Sequence, residues 1–324
     1  MTRIPTGNGH LPFPRLPKTR LPRGLLRTLH RRIKTSTNTN KHNHTTTNMQ
    51  QIGRKRSTID KFYTKPDIAK QCLETFLHHV VIDNDATVVE PSAGNGAFSR
   101  LLHPFNSLAF DIQPATENVI KQNFLQINLD NIGEKLHFVG NPPFGRQSSL
   151  AKAFIKHICS CKFSLSIGFI LPKSFKKYSL QRTFPRNYHL AYSHDLPLNS
   201  FTVNQQQHHV PCVFQIWVKR DWQREIPTPQ HPNDFTFVTK NQEPDFSIRR
   251  VGIYAGKIDT DTQNKSTQSH YFIRIKHNID KNQFEERFNQ IKFTHQNTVG
   301  PRSISKPELI KAVNHLSLPQ CLHD

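Results

Sequence analysis

The sequence predicts an α/β fold in which a parallel sheet carries helices on both faces. Two observations lead to this prediction. From residue 60 onward, apolar runs of strand length alternate with helical stretches, which is the pattern of parallel strands joined by crossover helices. The chain has 324 residues, of which 35% are hydrophobic, enough to bury one large core and a small additional unit.

The alternation can be followed element by element from Asp60 to Lys219. Pro66 suits the first turn of a helix, which is predicted over Asp67–Val81. The elements predicted after it are strands Thr87–Glu90, Ser107–Asp111 and Leu136–Gly140, helix Ser148–Cys161, strand Phe163–Leu171, helix Phe175–Arg182, and strands Leu190–Asp195 and Val210–Lys219.

The pattern changes after residue 220, where short β-like runs are separated by polar loops. These runs are Phe235–Thr239, Phe246–Tyr254 and His270–Lys276. Two helices close the chain, and Ser305–Glu308 has the sequence of a capping box with Pro in the first turn. The sequence therefore predicts three regions: a basic tail (1–59), a catalytic domain (60–220) and a small C-terminal α+β appendage (221–324) for substrate recognition.

The N-terminal tail carries 13 Lys or Arg and no Asp or Glu. Residues 1–48 are rich in Pro, Thr, Asn and His, so we expect disorder there. Three interpretations stay open: a basic tail that is solvated or grips DNA, an organelle transit peptide around the Arg-rich segment Leu21–Ile33, or a true start at Met49.

Charge and cysteine content narrow the function classes. The net charge of +21 points to a polyanionic partner, and the chain beyond residue 59 still has 31 basic and 23 acidic residues.

The five cysteines follow no disulfide pattern, so we expect an intracellular protein, cytoplasmic or in the nucleoid or nucleus. No apolar run approaches the roughly 18 residues of a membrane span, so no membrane partner is expected. Cys159 and Cys161 on one helix, and His208-His209 in a Gln-rich loop, are poor metal ligands, so no metal is expected either.

Several segments occur in an order that is informative as a set. They are Phe62–Pro66, Val89–Phe98, Phe110-Asp111, Asn123-Phe124 and Gly140–Phe144. From about Asp60 to Lys219, the sequence resembles the S-adenosylmethionine-dependent amino-methyltransferases, most closely the adenine-N6 branch in which the cofactor motif precedes the catalytic motif. The resemblance implies a Rossmann-like sheet, S-adenosyl-L-methionine as cofactor and a nucleic acid as substrate.

The segment after strand Thr87–Glu90 reads Pro-Ser-Ala-Gly-Asn-Gly, which lets the backbone bend sharply and approach a ligand. The resemblance implies that residues of this turn shape the pocket for the methionine part of the cofactor, and that two residues nearer the N-terminus reach its carboxylate. The turn residues are Glu90, Ser92, Gly94 and Gly96, and the two others are Thr64 and Pro66.

Asp111 ends the second strand, where a carboxylate can accept both ribose hydroxyls of an adenosyl group. Asn123 and Phe124 match positions near the cofactor adenine, where the family commonly has Asp followed by an apolar residue. Asn at this position can still bond the adenine amine through its side-chain oxygen, so we expect a modest loss of charge at this position rather than an inactive enzyme.

Asn141–Phe144 carries the predicted chemistry. The amine of adenine is a poor nucleophile because its lone pair is delocalised into the ring. The Asn141 side-chain oxygen and the Pro142 carbonyl can accept from its two N–H bonds, while Pro142 and Pro143 restrict the backbone so that both acceptors converge. Phe144 supplies a ring on which an extruded base stacks.

Three function classes follow. The leading one is adenine-N6 methylation of nucleic acid, with DNA preferred over RNA. We expect it to act without a partnered endonuclease, because no nuclease motif is evident and the roughly 100 residues after the catalytic domain are few for the target-recognition domain of a restriction-type DNA enzyme. A protein glutamine N5-methyltransferase resembles it in the same Asn-Pro-Pro core but usually has Tyr in the fourth position. A non-catalytic nucleic-acid-binding module with this fold is the third.

Overall fold

A computed structural model of the protein describes residues 62–203, 206–208, 210–293 and 302–316. The predicted tail, Met49 and Cys321 lie outside these residues. Within them, no helix is both long and apolar enough to cross a membrane.

Fourteen strands are defined in the described part of the chain. Their bounds are β1 Tyr63–Thr64, β2 Thr87–Glu90, β3 Ser107–Asp111, β4 Ile120–Lys121, β5 Leu136–Gly140, β6 Ser164–Pro172, β7 Tyr188–Asp195, β8 Phe201–Val203, β9 Gln206–His208, β10 Cys212–Lys219, β11 Phe235–Val238, β12 Phe246–Arg249, β13 Ile258–Asp259 and β14 His270–Ile275. The α-helices are α1 Pro66–His79, α2 Ser149–Ser160, α3 Tyr178–Gln181, α4 Lys281–Asn289 and α5 Lys306–Asn314.

Seven strands form the main sheet, in the order β4-β3-β2-β5-β6-β10-β7. The strands from β4 to β6 are parallel, whereas β10 runs antiparallel to both of its neighbours. This arrangement confirms the predicted α/β, Rossmann-like fold class. It adds one antiparallel strand near the edge, which the sequence alternation did not predict.

Helices cover both faces because the central strands are apolar on both sides. Val89 and Phe138 belong to one buried cluster, which includes α2, and their sequence neighbours Val88 and Val139 belong to the other, which includes α1. Contact with α1 is close at Gly168, where an added Cβ would overlap the ring of Phe76.

Three local predictions were wrong. The predicted helix Phe175–Arg182 is a 3-10 turn over Lys173–Lys176 followed by the short α3, because Lys177 between them has extended backbone angles. The predicted strand Phe246–Tyr254 ends at Arg249, since Gly252 begins a turn whose Ala255 N–H donates to the Gly252 carbonyl. His208 lies in β9, which pairs with β8, rather than in a loop.

The C-terminal strands form a separate four-stranded antiparallel sheet, in the order β11-β14-β12-β13. Helices α4 and α5 pack on it around a hydrophobic cluster of their own that includes Phe235, Phe284 and Leu309. The predicted capping box is present, since Ser305 and Glu308 bond each other's backbone N–H groups at the start of α5. The boundary near residue 220 remains a prediction.

The main sheet places the predicted motifs at one edge. Strands β2, β3 and β5 are neighbours, and they end at Glu90, Asp111 and Gly140. The carboxyl ends of parallel strands form the edge at which such sheets bind ligands. Strands β8 and β9 lie between β7 and β10 in the chain, at the edge where β7 ends and β10 begins. Strand β1 reaches the same edge because it pairs with β8.

Candidate active site

The glycine turn after β2 is held against β3. The Gly94 N–H donates to the Asp111 carboxylate over 2.8 Å, and the Ala93 N–H donates to the Phe110 carbonyl over 2.9 Å. Gly94 and Gly96 have φ angles of +54° and +81°, which side-chain-bearing residues rarely adopt. The turn therefore needs glycine for its backbone conformation.

Tyr63 packs over this turn. A Cβ added to Gly94 would lie 3.1 Å from the nearest carbon of the Tyr63 ring, so a larger residue at position 94 would have to displace the ring. Ser92 is half-buried beside the turn, and Pro66 is exposed as the first residue of α1. Tyr63 thus links the N-terminal segment to the predicted cofactor turn.

Glu90, at the end of β2, is 2% exposed, and its Oε2 atom has no hydrogen-bond partner. Burial raises the pKa of this carboxyl well above its usual range, and the nearby Asp111 charge raises the pKa further, whereas hydrogen bonds from Ser99 and the charge of Arg100 oppose the shift. Gly140 lies against it, because an added Cβ there would be 3.3 Å from Glu90 Cγ. Glu90 therefore has a raised pKa and one carboxyl oxygen without a partner, next to the predicted catalytic tetrapeptide.

Asp111 uses both carboxylate oxygens to order the backbone around it. One oxygen accepts from Gly94 N–H and the other accepts from Gln113 N–H over 2.7 Å. Each carboxylate oxygen can accept more than one hydrogen bond. The side chain is half-exposed, so a diol could bond to it in addition to the backbone.

Asn123 and Phe124 follow β4, the strand that pairs with β3. The Asn123 side-chain oxygen accepts from Leu125 N–H over 3.2 Å and so caps a 3-10 turn. The ring of Phe124 is 1% exposed and packs against Phe110, Phe138 and Phe154 in the core. Phe124 supports the loop from beneath, and contact of either residue with a cofactor stays a prediction.

Asn141 has one end of its side chain held and the other unused. Its amide nitrogen donates to the Phe62 carbonyl and to the Thr64 hydroxyl, each over 3.2 Å. Thr64 is only 4% exposed, so this anchor is shielded from water. The amide oxygen of Asn141 is buried and has no hydrogen-bond partner. The N-terminal segment therefore orients Asn141 as an acceptor.

The rest of the tetrapeptide leads into a tight loop. Pro142 is buried and Pro143 is half-buried, and the half-buried Phe144 packs against the α1 face of the core. The Phe144 carbonyl accepts from the N–H groups of Leu150 and Ala151 at the start of α2. Gly145 has a φ of +66°, and a Cβ there would lie 2.8 Å from the Leu150 side chain. Helix α2 thus holds the end of the tetrapeptide.

Direct contacts therefore join all five predicted segments. Phe62–Thr64 touches both the glycine turn and Asn141, the turn bonds Asp111, and Glu90 lies against Gly140. Asn123-Phe124 is joined to Phe110-Asp111 by the packing of the Phe124 ring on Phe110, and the Gln122 N–H donates to the Asp111 carbonyl. Together these groups offer a glycine turn, an unused acid oxygen and an unused amide oxygen.

No protein family model matches the chain, and no curated protein matches it in sequence. Solved structures match in part. The 23S rRNA methyltransferase ErmE is 16% identical with a TM-score of 0.37, covering 50% of this chain and 71% of its own. A Listeria monocytogenes protein classed as a class I S-adenosylmethionine-dependent methyltransferase is 14% identical with a TM-score of 0.37, covering 52% of this chain and 64% of its own.

A third structure is a Vibrio vulnificus protein classed as the modification subunit of a type I restriction enzyme. It is 10% identical with a TM-score of 0.37, and the match covers 82% of this chain and 64% of its own. This chain spans less than two thirds of the Listeria and Vibrio proteins. Likenesses of this size assign no activity to this protein.

Two residues with a place in the site were not assigned from the sequence. Tyr63 lies on the glycine turn, and its signal was an aromatic residue directly before Thr64. Ile112 is 64% exposed immediately after Asp111, where it can present an apolar face beside the carboxylate. Its signal was an apolar residue at the start of a polar loop, Gln113 onward.

The two cysteines judged from the sequence to be poor metal ligands also lie in the described part of the chain. Cys159 is half-buried in α2, and Cys161 is buried just after that helix, with its thiol donating to Asp130 over 3.1 Å. Burial raises the pKa of both thiols, to about 12 for Cys159 and about 11 for Cys161. Among the described residues, no group of three or more His, Cys, Asp or Glu side chains is arranged to hold a metal ion.

Proposed function

We propose that the protein is an S-adenosylmethionine-dependent methyltransferase that acts on the exocyclic N6 amine of adenine in nucleic acid, with DNA preferred over RNA. The orientation of Asn141 carries the proposal. A buried amide that is fixed through its nitrogen and unpartnered at its oxygen supports an acceptor held ready for a donor that comes from outside the protein.

The residues around Asn141 suit the cofactor. The glycine turn gives close backbone approach, Asp111 retains acceptor capacity for ribose hydroxyls, and Ile112 offers an apolar surface for an adenine ring. The unused oxygen of Glu90 suits the ammonium group of the methionine part. When bound, S-adenosylmethionine supplies an electrophilic methyl group on a positively charged sulfur.

The tetrapeptide supports activation of an amine. The Asn141 oxygen and the Pro142 carbonyl accept from the two N–H bonds and draw the nitrogen lone pair out of conjugation with the ring. A fixed acceptor needs no reorganisation as the nitrogen becomes tetrahedral, which favours the transition state over the ground state. The amine loses its proton to solvent after it has gained the methyl group, so no strong base is required.

Phe144 is half-buried and packs against the core, so part of the residue remains accessible. This placement supports a stacking surface for a base that has left the duplex. The excess of basic residues outside the N-terminal tail supports a polyanionic substrate over a protein substrate.

The test is methyl transfer from cofactor carrying a deuterated methyl group, followed by digestion and mass spectrometry of nucleosides. Duplex DNA, single-stranded DNA and RNA are offered separately, and a protein extract is offered in parallel. We expect deuterated N6-methyldeoxyadenosine from DNA, in greater yield than the ribonucleoside from RNA. Label on glutamine side chains alone, or on cytosine, would refute the proposal. The Asn141→Ala variant controls for contaminating methyltransferases.

A further inference from the structure

Two neighbouring apolar side chains project from the C-terminal sheet into solvent. Ile253 is 87% exposed and Tyr254 is 66% exposed. They lie in the loop between β12 and β13, residues 250–257, here called the tip loop. Exposing two adjacent large apolar groups is unfavourable in water, so the pair is a candidate contact surface for a binding partner.

The tip loop is held by backbone hydrogen bonds on both sides. The Ala255 N–H donates to the Gly252 carbonyl over 3.1 Å, which makes Ile253 and Tyr254 the two corner residues of a turn. At its base, Gly256 N–H donates to the Arg249 carbonyl over 2.7 Å, and Arg249 N–H donates to the Lys257 carbonyl over 2.8 Å. Ile253 and Tyr254 are therefore presented on a constrained turn.

A second segment braces the loop from the side. Gly252 N–H donates to the Arg302 carbonyl and Ile304 N–H donates to the Arg250 carbonyl, each over 2.8 Å. Gly256 has a φ of +99°, and a Cβ there would overlap the ring of Phe293. The close packing on both sides reduces the ordering entropy that a flexible loop would lose on binding.

The base of the loop is positively charged. Arg249, Arg250 and Lys257 lie in a stretch from Phe246 to Ile258 that contains no acidic residue, and Arg302 lies beside them through its carbonyl bond to Gly252. An apolar tip on a basic base complements a nucleic acid, whose bases are apolar on their faces and whose backbone is anionic.

The tip loop is connected to the catalytic edge of the main sheet. Lys177, five residues beyond the carboxyl end of β6, donates to the Ser303 carbonyl over 3.0 Å and forms an ion pair with Glu308 over 3.2 Å. Ser303 in turn forms a bridge with Val251 in the tip loop. Strand β6 is the neighbour of β5, which leads into the catalytic tetrapeptide, so loop and tetrapeptide are approached from the same edge.

We infer that the tip loop is a wedge that inserts Ile253 and Tyr254 between stacked bases of duplex DNA beside the adenine to be methylated. The inference rests on the proposed function. An aliphatic residue at a turn corner is a poor platform for a single-stranded base but a good wedge, since side chains such as Ile are inserted at base steps of DNA duplexes. Duplex RNA is recognised mainly by its shape and its hydroxyl groups, which favours DNA as the occupant.

The experiment uses the full chain and an adenine-containing DNA duplex with 2-aminopurine next to the target site. The fluorescence of this base rises when it loses its stacking neighbour. The test variant is Ile253→Ser with Tyr254→Ala. The control variant is Val81→Ser with Trp222→Ala, two residues that are 85% and 60% exposed and lie by the opposite edge of the sheet.

We expect the wild type and the control to raise the fluorescence on binding, and the test variant to leave it flat and to bind the duplex about tenfold more weakly. The dependence of affinity on salt should be the same for all three, because no charge is altered. Cofactor affinity, measured by calorimetry, should be unchanged in the test variant. A single-stranded substrate should be methylated equally well by test variant and wild type.

Several results would overturn the inference. If the test variant retains both duplex affinity and the fluorescence rise while the wild type methylates DNA, the wedge is wrong and the proposed function stands. If the fluorescence rises with duplex RNA and not with duplex DNA, the tip loop binds RNA and the inference about DNA is wrong. If the wild type is a dimer that the test variant converts to a monomer, the exposed pair is a protein interface. If the wild type neither binds nor methylates nucleic acid, the proposed function fails as well.

Discussion

Two pairs of buried polar side chains near the amino edge of the main sheet bond each other, whereas Glu90 and Asn141 at its carboxyl edge each have a buried atom without a partner. Near the amino edge, His137 Nδ1 lies 2.7 Å from the Ser166 hydroxyl, and the Tyr188 hydroxyl donates to Ser164 Oγ over 2.9 Å. At the carboxyl edge, the Oε2 atom of Glu90 and the Oδ1 atom of Asn141 are buried and unpaired.

The difference indicates what each edge is for. An unpaired buried polar atom costs about 1–3 kcal/mol relative to a paired one, so a fold that can supply partners does so. At the amino edge, side chains of β5, β6 and β7 supply such partners to each other. At the carboxyl edge, beside the glycine turn, the acceptor atoms of Glu90 and Asn141 have none. Partners at the amino edge stabilise the protein, and we expect the acceptors at the carboxyl edge to be satisfied by ligands.

The largest expected effect comes from Asn141→Ala. Loss of an acceptor that matters most in the transition state should lower kcat by roughly a hundredfold to a thousandfold while cofactor affinity stays nearly unchanged. The free energy of unfolding should change little, because removal of the unsatisfied oxygen offsets the loss of the two hydrogen bonds from the Asn141 amide nitrogen. Steady-state kinetics, cofactor calorimetry and urea unfolding on the same preparation measure the three quantities.

The matched control is Ser166→Ala at the amino edge, which removes the partner of a buried imidazole. We expect it to lower stability and leave kcat within about twofold of the wild type. A kcat loss in Ser166→Ala as large as that in Asn141→Ala would erase the distinction between the two edges.

The next effect is a pH dependence of stability that originates at the amino edge. Burial lowers the pKa of His137 to about 4, below its unfolded value, so the folded protein binds fewer protons at this site than the unfolded chain. Stability from this group is full above about pH 6.5 and falls as the pH drops toward about 4. The expected loss between about pH 7 and pH 5 is roughly 2 kcal/mol.

Urea unfolding at these two pH values measures the loss, with His137→Gln as the comparison because Gln can still bond Ser166 but does not titrate. The variant should lose less stability between the two pH values than the wild type. Identical losses in both proteins would assign the pH dependence to other groups and contradict the account of this edge.

The sequence predicted the strands that end at the carboxyl edge better than it predicted the segments around them. The bounds of β2, β3 and β5 agree with the prediction, because each is a short apolar run ended by Glu90, Asp111 or Gly140. Their placement at one edge then follows from the parallel sheet. The role of Asn123 and Phe124 stays a prediction, since the first caps a turn and the second is buried in the core.

Contacts between distant segments could not be predicted from local patterns. The anchor of Asn141 depends on Phe62 and Thr64, which reach it only because β1 pairs with β8, more than 130 residues away in the chain. The two-residue β1 has no periodicity of its own. The end of β12 at Arg249 was not predicted because the apolar pair Ile253 and Tyr254 continues the strand-like pattern. The turn that contains this pair is held by hydrogen bonds to the distant residues Arg302 and Ile304.

A smaller effect is expected from Asp111→Ala, which removes a carboxylate that bonds the glycine turn and, in the proposed function, the ribose. Cofactor affinity should fall by about 1–3 kcal/mol, the value of a charge-assisted hydrogen bond, with a smaller change in kcat. Asp83→Ala is the control, because Asp83 is an exposed aspartate paired with Lys135 just before β2. Calorimetry measures the cofactor affinity of both variants. Equal affinities would show that Asp111 does not contribute to cofactor binding.

The smallest effect belongs to Thr64→Val, which keeps the shape of the side chain but removes one of the two acceptors for the Asn141 amide. The Phe62 carbonyl remains, so we expect kcat to fall by only about fivefold to tenfold, consistent with loss of one hydrogen bond. The pH profile of kcat should keep its shape. A loss as large as that of Asn141→Ala would mean that Thr64 contacts the reacting groups itself.

The central claim is that the carboxyl edge binds S-adenosylmethionine, and calorimetry of the wild-type protein with this cofactor tests it most directly. The account predicts saturable binding at submillimolar concentration. Because a cation beside Glu90 lowers the raised pKa of that carboxyl, binding should release a fraction of a proton, and affinity should increase with pH. Titration in two buffers of different ionisation enthalpy measures the release. Absence of any heat at millimolar cofactor, together with no shift in Tm, would contradict the account.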